Sequence, residues 1–212
     1  MHSAGFDYSG KEERSGESKP TKPADLIVDD GIVWEKFKKG DKAALTFIYR
    51  NYSNPLFNYG CQFTTNRELV KDAIQDLFIE IINSRENLGQ TDSIKFYLFR
   101  SLRNKLVRML TKIGRVELET LENNHPFEIS ISPEMILINR QIDEEKRAWI
   151  TEKLNELPPL QKEVLLLFYY EGLTYAQISN MLGMKVKSAR ALVYRAIRSI
   201  GKLMNTEKDI FS

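Results

Sequence analysis

At 212 residues, with 42% hydrophobic and 28% charged side chains, the chain is too apolar for wholesale disorder and long enough for one or two compact domains. No apolar run approaches the roughly 20 residues that cross a bilayer, and the N-terminal stretch lacks the apolar segment of a secretion signal. The single cysteine, Cys61, cannot form an internal disulfide and reads as a buried small hydrophobe, so a reducing cytoplasmic location is expected. The net charge of +2 hides two acid-free basic runs: seven Lys and Arg in Lys95 to Arg115, and six in Lys185 to Lys202. Two such runs on helices point to two separate polyanion contacts.

Residues 1–24 read as a disordered leader, without apolar periodicity. Residues 25–112 are helical in pattern, with breaks at Gly40-Asp41, Asn54-Pro55, Thr65-Asn66 and Leu88 to Asp92. The clearest helix runs from Asn66 to Asn83. Its apolar face carries Leu69, Val70, Ala73, Ile74, Leu77, Phe78, Ile81 and Ile82, opposite Asp72, Gln75, Asp76 and Ile79. A second helix, Ser93 to Lys112, offers a basic track of Arg100, Arg103, Lys105 and Arg108 beside Asn104; Phe96, Tyr97 and Phe99 are expected in the core. Residues 113–139 hold one basic residue against five acids, with Pro126 and Pro133, and read as a flexible, extended acidic linker of 27 residues. Arg140 to Glu156 is helical and stops before Pro158-Pro159, and Leu160 to Tyr170 forms the next helix. The fold class expected is all-α: two small helical domains, 25–112 and 140–212, joined by the acidic linker.

After Gly172, Thr174 and Gln177 stand at the spacing of a capping box, which fixes a helix start. Ala176, Ile178 and Leu182 give that helix an apolar side, and Gly183 supplies a tight turn. Val186, Ala189, Val193, Ala196, Ile197 and Ile200 then repeat at helical spacing, so the unit is a helix-turn-helix. The other face of its second helix carries Lys187, Arg190, Ala191, Tyr194 and Arg198, with Lys185 and Ser188 near its start, a surface suited to a major groove.

Leu154 to Leu203, with LPPLQKEVLLLFYYEGLTYAQISNMLGMKVKSARALVYRAIRSIGKL, closely resembles the C-terminal promoter-reading domain of extracytoplasmic-function sigma factors, which reads the minus-35 element. The resemblance implies a minus-35 surface of Lys185, Lys187, Ser188, Arg190, Ala191 and Arg195. The family's recognition helix usually opens with Ser and carries Thr-Val-Lys-Ser-Arg. Here Lys185 stands at the cap and Leu192 at the arginine position, where its side chain is expected to make only apolar contact, for instance with a thymine methyl. Asp72-Ala-Ile-Gln75-Asp76-Leu-Phe78 resembles the family's segment that docks on core RNA polymerase, which implies a docking surface of Asp72, Gln75, Asp76, Phe78 and Ile79. YLFRSLRNKLVRMLTK resembles the segment that captures the melted minus-10 element; Arg100, Arg103, Asn104 and Arg108 would hold that strand, and the loop Arg85 to Ser93 would form its base pocket.

What the resemblance implies is a non-enzymatic transcription initiation factor, monomeric when free. It would need no cofactor, metal or small-molecule substrate. Its partners would be core RNA polymerase, promoter DNA and an anti-sigma factor, in the family often membrane-anchored. Three other classes are weighed against it, one of them a pure protein-interaction module, which would show no salt-dependent DNA binding. An enzyme or metal site at Asp72, Asp76 and Glu80 lacks helical His partners, since His2 lies in the leader and His125 in the linker. A conventional dimeric helix-turn-helix regulator would bind a palindromic duplex without polymerase.

Overall fold

The computed structural model describes residues 29–114, 126–130 and 144–208. Every regular element among them is helical: α1 (Asp30–Lys38), α2 (Lys42–Gly60), α3 (Arg67–Asn83), α4 (Ile94–Lys112), α5 (Glu144–Asn155), α6 (Pro159–Leu165), α7 (Tyr175–Met181) and α8 (Val186–Lys208). A 3-10 turn, Arg85–Asn87, follows α3, and a π-helical turn, Leu166–Tyr170, prolongs α6. The leader and linker positions 115–125 and 131–139 lie outside the described residues.

Short polar side chains set most of the helix starts. Asp29 accepts from the backbone N–H of Gly31 at 2.8 Å, Asp41 from Ala43 at 2.7 Å, Asn66 from Leu69 at 3.2 Å and Ser93 from Phe96 at 3.2 Å. Each bond satisfies a donor the helix cannot, a contribution of about 1 kcal/mol. Between α1 and α2 the chain turns at Gly40, whose φ of +84° lies in the left-handed region open to glycine.

Asn54-Pro55, read as a break in the sequence, is not one: α2 runs through it. Proline removes one donor from the helix ladder, but Ile48 and Leu56, on either side of it, are both 0% exposed, and their burial holds the helix together. Trp34 of α1 is also fully buried, and its Nε1 donates to the Gly89 carbonyl oxygen at 2.8 Å. Asp30 accepts from the Ile94 backbone N–H at 2.9 Å. The short first helix thereby fixes both the Leu88 to Asp92 loop and the start of α4.

α2, α3 and α4 pack on one another with α1 across one end, while α5, α6 and α7 pack on the long α8. The two halves share a continuous buried core. The linker takes part in it. Phe127 is 1% exposed and meets Phe63 edge-on at 5.1 Å between ring centroids, and Ile129 is also buried. The backbone around them is clamped from both halves. The Gln62 side chain accepts from Ser130 N at 2.7 Å and the Gln62 carbonyl from Glu128 N at 2.8 Å; Asn155 accepts from Ile129 N at 2.8 Å and donates to Ile129 O at 2.9 Å. The expectation of a flexible connector does not describe residues 126–130, because two buried side chains and a ladder of hydrogen bonds hold them.

Candidate polymerase and nucleic-acid interfaces

On α3 the predicted division of faces is observed. Val70, Ala73, Ile74, Leu77, Phe78 and Ile81 are buried, and Asp72, Gln75, Asp76 and Ile79 are exposed. Ile79 is 47% exposed, an apolar side chain set in a polar stripe. Phe78 supports it from the core, its ring meeting that of the half-exposed Tyr49 at 5.1 Å. The acids of this stripe also reach α4: Lys105 Nζ lies 2.6 Å from Glu80 Oε1 and 3.8 Å from Asp76 Oδ2. Lys105 thus pairs with the acids of α3 from within a cleft that Asn104 and Arg108 also line.

Along α4, Arg100, Asn104 and Arg108 are exposed, and Asn104 and Arg108 line an open polar cleft of about 450 Å³ shared with Asp76, Glu80, Ser101 and Lys112. Phe99 is 0% exposed and belongs to the core as expected, while Phe96 and Tyr97 are partly buried against it, the Tyr97 ring centroid 4.9 Å from that of Trp34.

Arg103 lies elsewhere than on the track. It is 8% exposed and faces the C-terminal half. Its Nε donates to Glu163 Oε1 at 2.8 Å and its Nη2 to Glu163 Oε2 at 3.3 Å, and the Tyr59 hydroxyl donates to the same Oε1 at 2.6 Å. Glu163, on α6, is 0% exposed. Burial pushes the Tyr59 hydroxyl well above the ordinary tyrosine range, and the Glu163 carboxylate adds to the shift. Burial works most strongly against the Arg103 charge, but the Glu163 carboxylate and the Tyr59 hydroxyl together outweigh it and raise the guanidinium's pKa. Two turns earlier Lys95 repeats the arrangement, its Nζ 2.6 Å from Glu171 Oε2 and 2.7 Å from the Glu171 carbonyl oxygen.

In the C-terminal half the capping box is present: Thr174 Oγ1 accepts from Gln177 N at 3.2 Å while Gln177 Oε1 accepts from Thr174 N at 2.9 Å. Gly183 makes the turn at φ +66°. On α8, Lys187, Ser188, Arg190, Ala191, Tyr194, Arg195 and Arg198 are exposed, as is Lys185 just before the helix. Val186 and Ile197, read as part of the apolar face, are 44% and 42% exposed; Ile197 borders an open apolar groove with Leu154, Leu165 and Ile200. Leu192 corrects the sequence reading. It is 6% exposed and sits in the core, so no thymine methyl can reach it. The helix turns that position inward beside Ala189, Val193 and Ala196. Arg190 Cζ lies 5.3 Å from the centroid of the Tyr175 ring, which is itself stacked on Phe168 at 4.6 Å.

Residues 48–116 match the family described as Sigma-70 region 2, and residues 147–200 match Sigma-70, region 4. The chain belongs to the sigma-70 family. This sigma factor is similar to the RNA polymerase sigma-H factor of Pseudomonas aeruginosa, 23% identical over 179 residues, which cover 80% of this chain and 91% of the relative. It is similar as well to the ECF RNA polymerase sigma-E factor of Haemophilus influenzae, 24% identical over 183 residues, covering 82% and 93% of the two chains. Its fold resembles that of the sigma factor RpoE in the co-crystal structure with the anti-sigma factor NepR from Bartonella quintana. There the TM-score is 0.56 at 20% identity, over 79% of this chain and 98% of that one. The sigma factor is of the extracytoplasmic-function type, a transcription initiation factor that binds core RNA polymerase and directs it to promoters. Region 2 comprises most of α2 with α3 and α4, and region 4 runs from within α5 into α8.

Sequence reasoning did not find Tyr59, Glu163, Glu171 and Tyr175. For Tyr59 and Glu163 no local signal marks burial, since Tyr59 follows Asn58 and Glu163 follows Gln161 and Lys162 in sequence; once buried, such groups need partners. Which partners they take is set by contacts 60 to 104 residues away in the chain, which no local period encodes.

Proposed function

We propose that this sigma factor divides its work among three exposed helix faces. On α3, Asp72, Gln75, Asp76 and Ile79 meet core polymerase, with Phe78 holding that surface from beneath. On α4, Arg100, Asn104 and Arg108 hold the melted minus-10 strand, joined by Arg103 once it is released from Glu163. On α8 and the residue before it, Lys185, Lys187, Ser188, Arg190, Ala191 and Arg195 face the minus-35 duplex. The observation that carries this reading is the sorting of charge. The polymerase stripe is acidic and carries one exposed isoleucine, which suits a protein surface and repels phosphate, whereas the exposed faces of α4 and α8 carry arginine and lysine where phosphates would lie.

The chain itself performs no chemistry in this reading and acts in the cytoplasm with the polymerase. An anti-sigma factor that covers the polymerase-binding surfaces restrains it, and a membrane-anchored regulator would suit that role. The solved complex of the RpoE and NepR proteins supports such a partner.

Co-purification with core RNA polymerase, followed by transcription from a promoter selected by the holoenzyme, tests the assignment. The wild type binds core stably, Asp72→Ala with Asp76→Ala weakens that binding, and Arg190→Ala leaves core binding intact while lowering initiation. Unimpaired core binding by the double variant would remove α3 from the interface.

A further inference from the structure

Resting on the reading of α4 as the minus-10 helix, we infer that the Glu163 and Glu171 face of the C-terminal domain is a docking surface for α4 of the same chain, one that competes with the DNA strand for Lys95 and Arg103. The two cations lie eight residues apart on α4, a rise of about 12 Å, with Phe99 between them on the same buried stripe. Each meets a carboxylate that is out of water when the two halves are packed together: Glu163 is 0% exposed, and the Glu171 side chain is 2% exposed. The contacts are those a phosphate would make. Arg103 gives two N–H donors to one carboxylate, at 2.8 and 3.3 Å, and Lys95 gives its ammonium to Glu171 at 2.6 Å. Arg103 cannot serve both partners.

The arrangement is also sensitive to the loss of either partner. Charges withdrawn from water need partners of good geometry, and removing one partner leaves the other buried and uncompensated. Here the Tyr59 hydroxyl supplies the third bond that Glu163 needs. The same chemistry makes the contact reversible, because a polyanion offered to α4 replaces what Arg103 and Lys95 lose when the halves part. The closed chain therefore keeps a fraction of its minus-10 surface in reserve, and its apparent affinity for single-stranded DNA is lowered by the fraction of molecules that are open.

Full-length chains tested with a randomised 20-nucleotide single-stranded DNA pool, by fluorescence anisotropy across a salt series and by small-angle X-ray scattering, decide the matter. Glu163→Gln keeps the shape of the side chain and removes its charge; Glu171→Gln, on the other ion pair, opens the chain independently. In either variant the radius of gyration should rise and DNA affinity should increase at least tenfold, with the salt slope steeper by about 0.7 for each further phosphate neutralised. Arg103→Gln should expand the chain as much, yet bind DNA less tightly than the glutamate variants and with a shallower salt slope, since it has one cation fewer to offer. A merely structural contact would not separate these two sides of one ion pair. Variants that stay compact, or that expand without binding DNA more tightly, would overturn the inference. In that case Arg100→Ala with Arg108→Ala would still weaken DNA binding if α4 is the minus-10 helix. Should no variant bind the strand, and should Arg100→Ala with Arg108→Ala initiate normally in the holoenzyme, the reading of α4 itself fails and the inference falls with it.

Discussion

Gly60, the last residue of α2, sits where α2, α3 and α4 converge, and replacing it with alanine measures how tightly those helices are held. A Cβ there would lie 2.5 Å from Val70 Cγ1 and 3.5 Å from Leu106 Cδ1, whereas ordinary contact begins near 3.4 Å. The shortfall of about 0.9 Å falls on Val70, which is 0% exposed and, being β-branched in a helix, has essentially one rotamer. It cannot swing aside, so α3 must shift. Overpacking of this kind costs about 1 to 3 kcal/mol, offset by up to about 1 kcal/mol because alanine favours the helix over glycine. With the full offset, the net expectation for Gly60→Ala is a loss of up to about 2 kcal/mol. Urea unfolding followed by circular dichroism reads it. The decisive form is a cycle with Val70→Ala, in which the double variant is more stable than the sum of the single effects by at least about 1 kcal/mol, since shortening Val70 makes room for the new methyl. Because α3 carries the Asp72 and Asp76 stripe, Gly60→Ala should also weaken core polymerase binding. Neutrality of Gly60→Ala together with an additive cycle would refute the argument.

Leu192→Ala, a truncation in the core, should lower stability by about 2 to 5 kcal/mol in denaturant unfolding while leaving the minus-35 base preference of the holoenzyme unchanged; a changed preference with intact stability would contradict its burial. Tyr175→Leu should mimic part of the promoter defect of Arg190→Ala, and Tyr175→Phe should not, because the ring face that meets Arg190 survives in phenylalanine; base preferences scored from a randomised minus-35 library report the difference. The alkaline limb of stability follows from Tyr59. Its folded pKa lies above the unfolded value of about 10, so the unfolded chain releases this proton first, and stability present below pH 10 is lost as pH rises beyond it. Melting curves from pH 8 to 11 should show that decline, with Tyr59→Phe reducing its slope without abolishing it, since Tyr52 and Tyr97 are shifted in the same direction.

The parts of the molecule that can be read from sequence are those in which the decisive interaction is local. The Thr174 and Gln177 pair fixes its helix through bonds three residues long, and the exposed stripe of α3 follows from period alone. The readings that fail concern single positions at which periodicity and residue type disagree. Arg103 sits on the stripe of α4 that Phe99, Leu102 and Leu106 bury, and there position overrides the usual exposure of an arginine. Leu192 lies on the buried face with Ala189, Val193 and Ala196, yet the resemblance aligns it with an arginine. Asn54-Pro55 carries the local signature of a break, which the burial of Ile48 and Leu56 overrides. Residues 126–130 lie in an acidic, proline-marked stretch of the sequence; their order comes from Gln62 and Asn155, 26 to 68 residues away.

That clamp gives the connector two usable lengths. If only the Asn155 side lets go, about 14 links separate Ser130 from Glu144, and a chain of that length spans at most about 45 Å. If Gln62 and the Phe63 ring let go as well, about 30 links separate Gly114 from Glu144, and the upper limit roughly doubles to about 100 Å. Two DNA elements named for positions 25 base pairs apart are separated by about 85 Å of duplex. The shorter span is less than that separation and the longer one exceeds it, so if each half occupies its own element, the hold of Gln62 and Phe63 on residues 126–130 sets how far the halves can part.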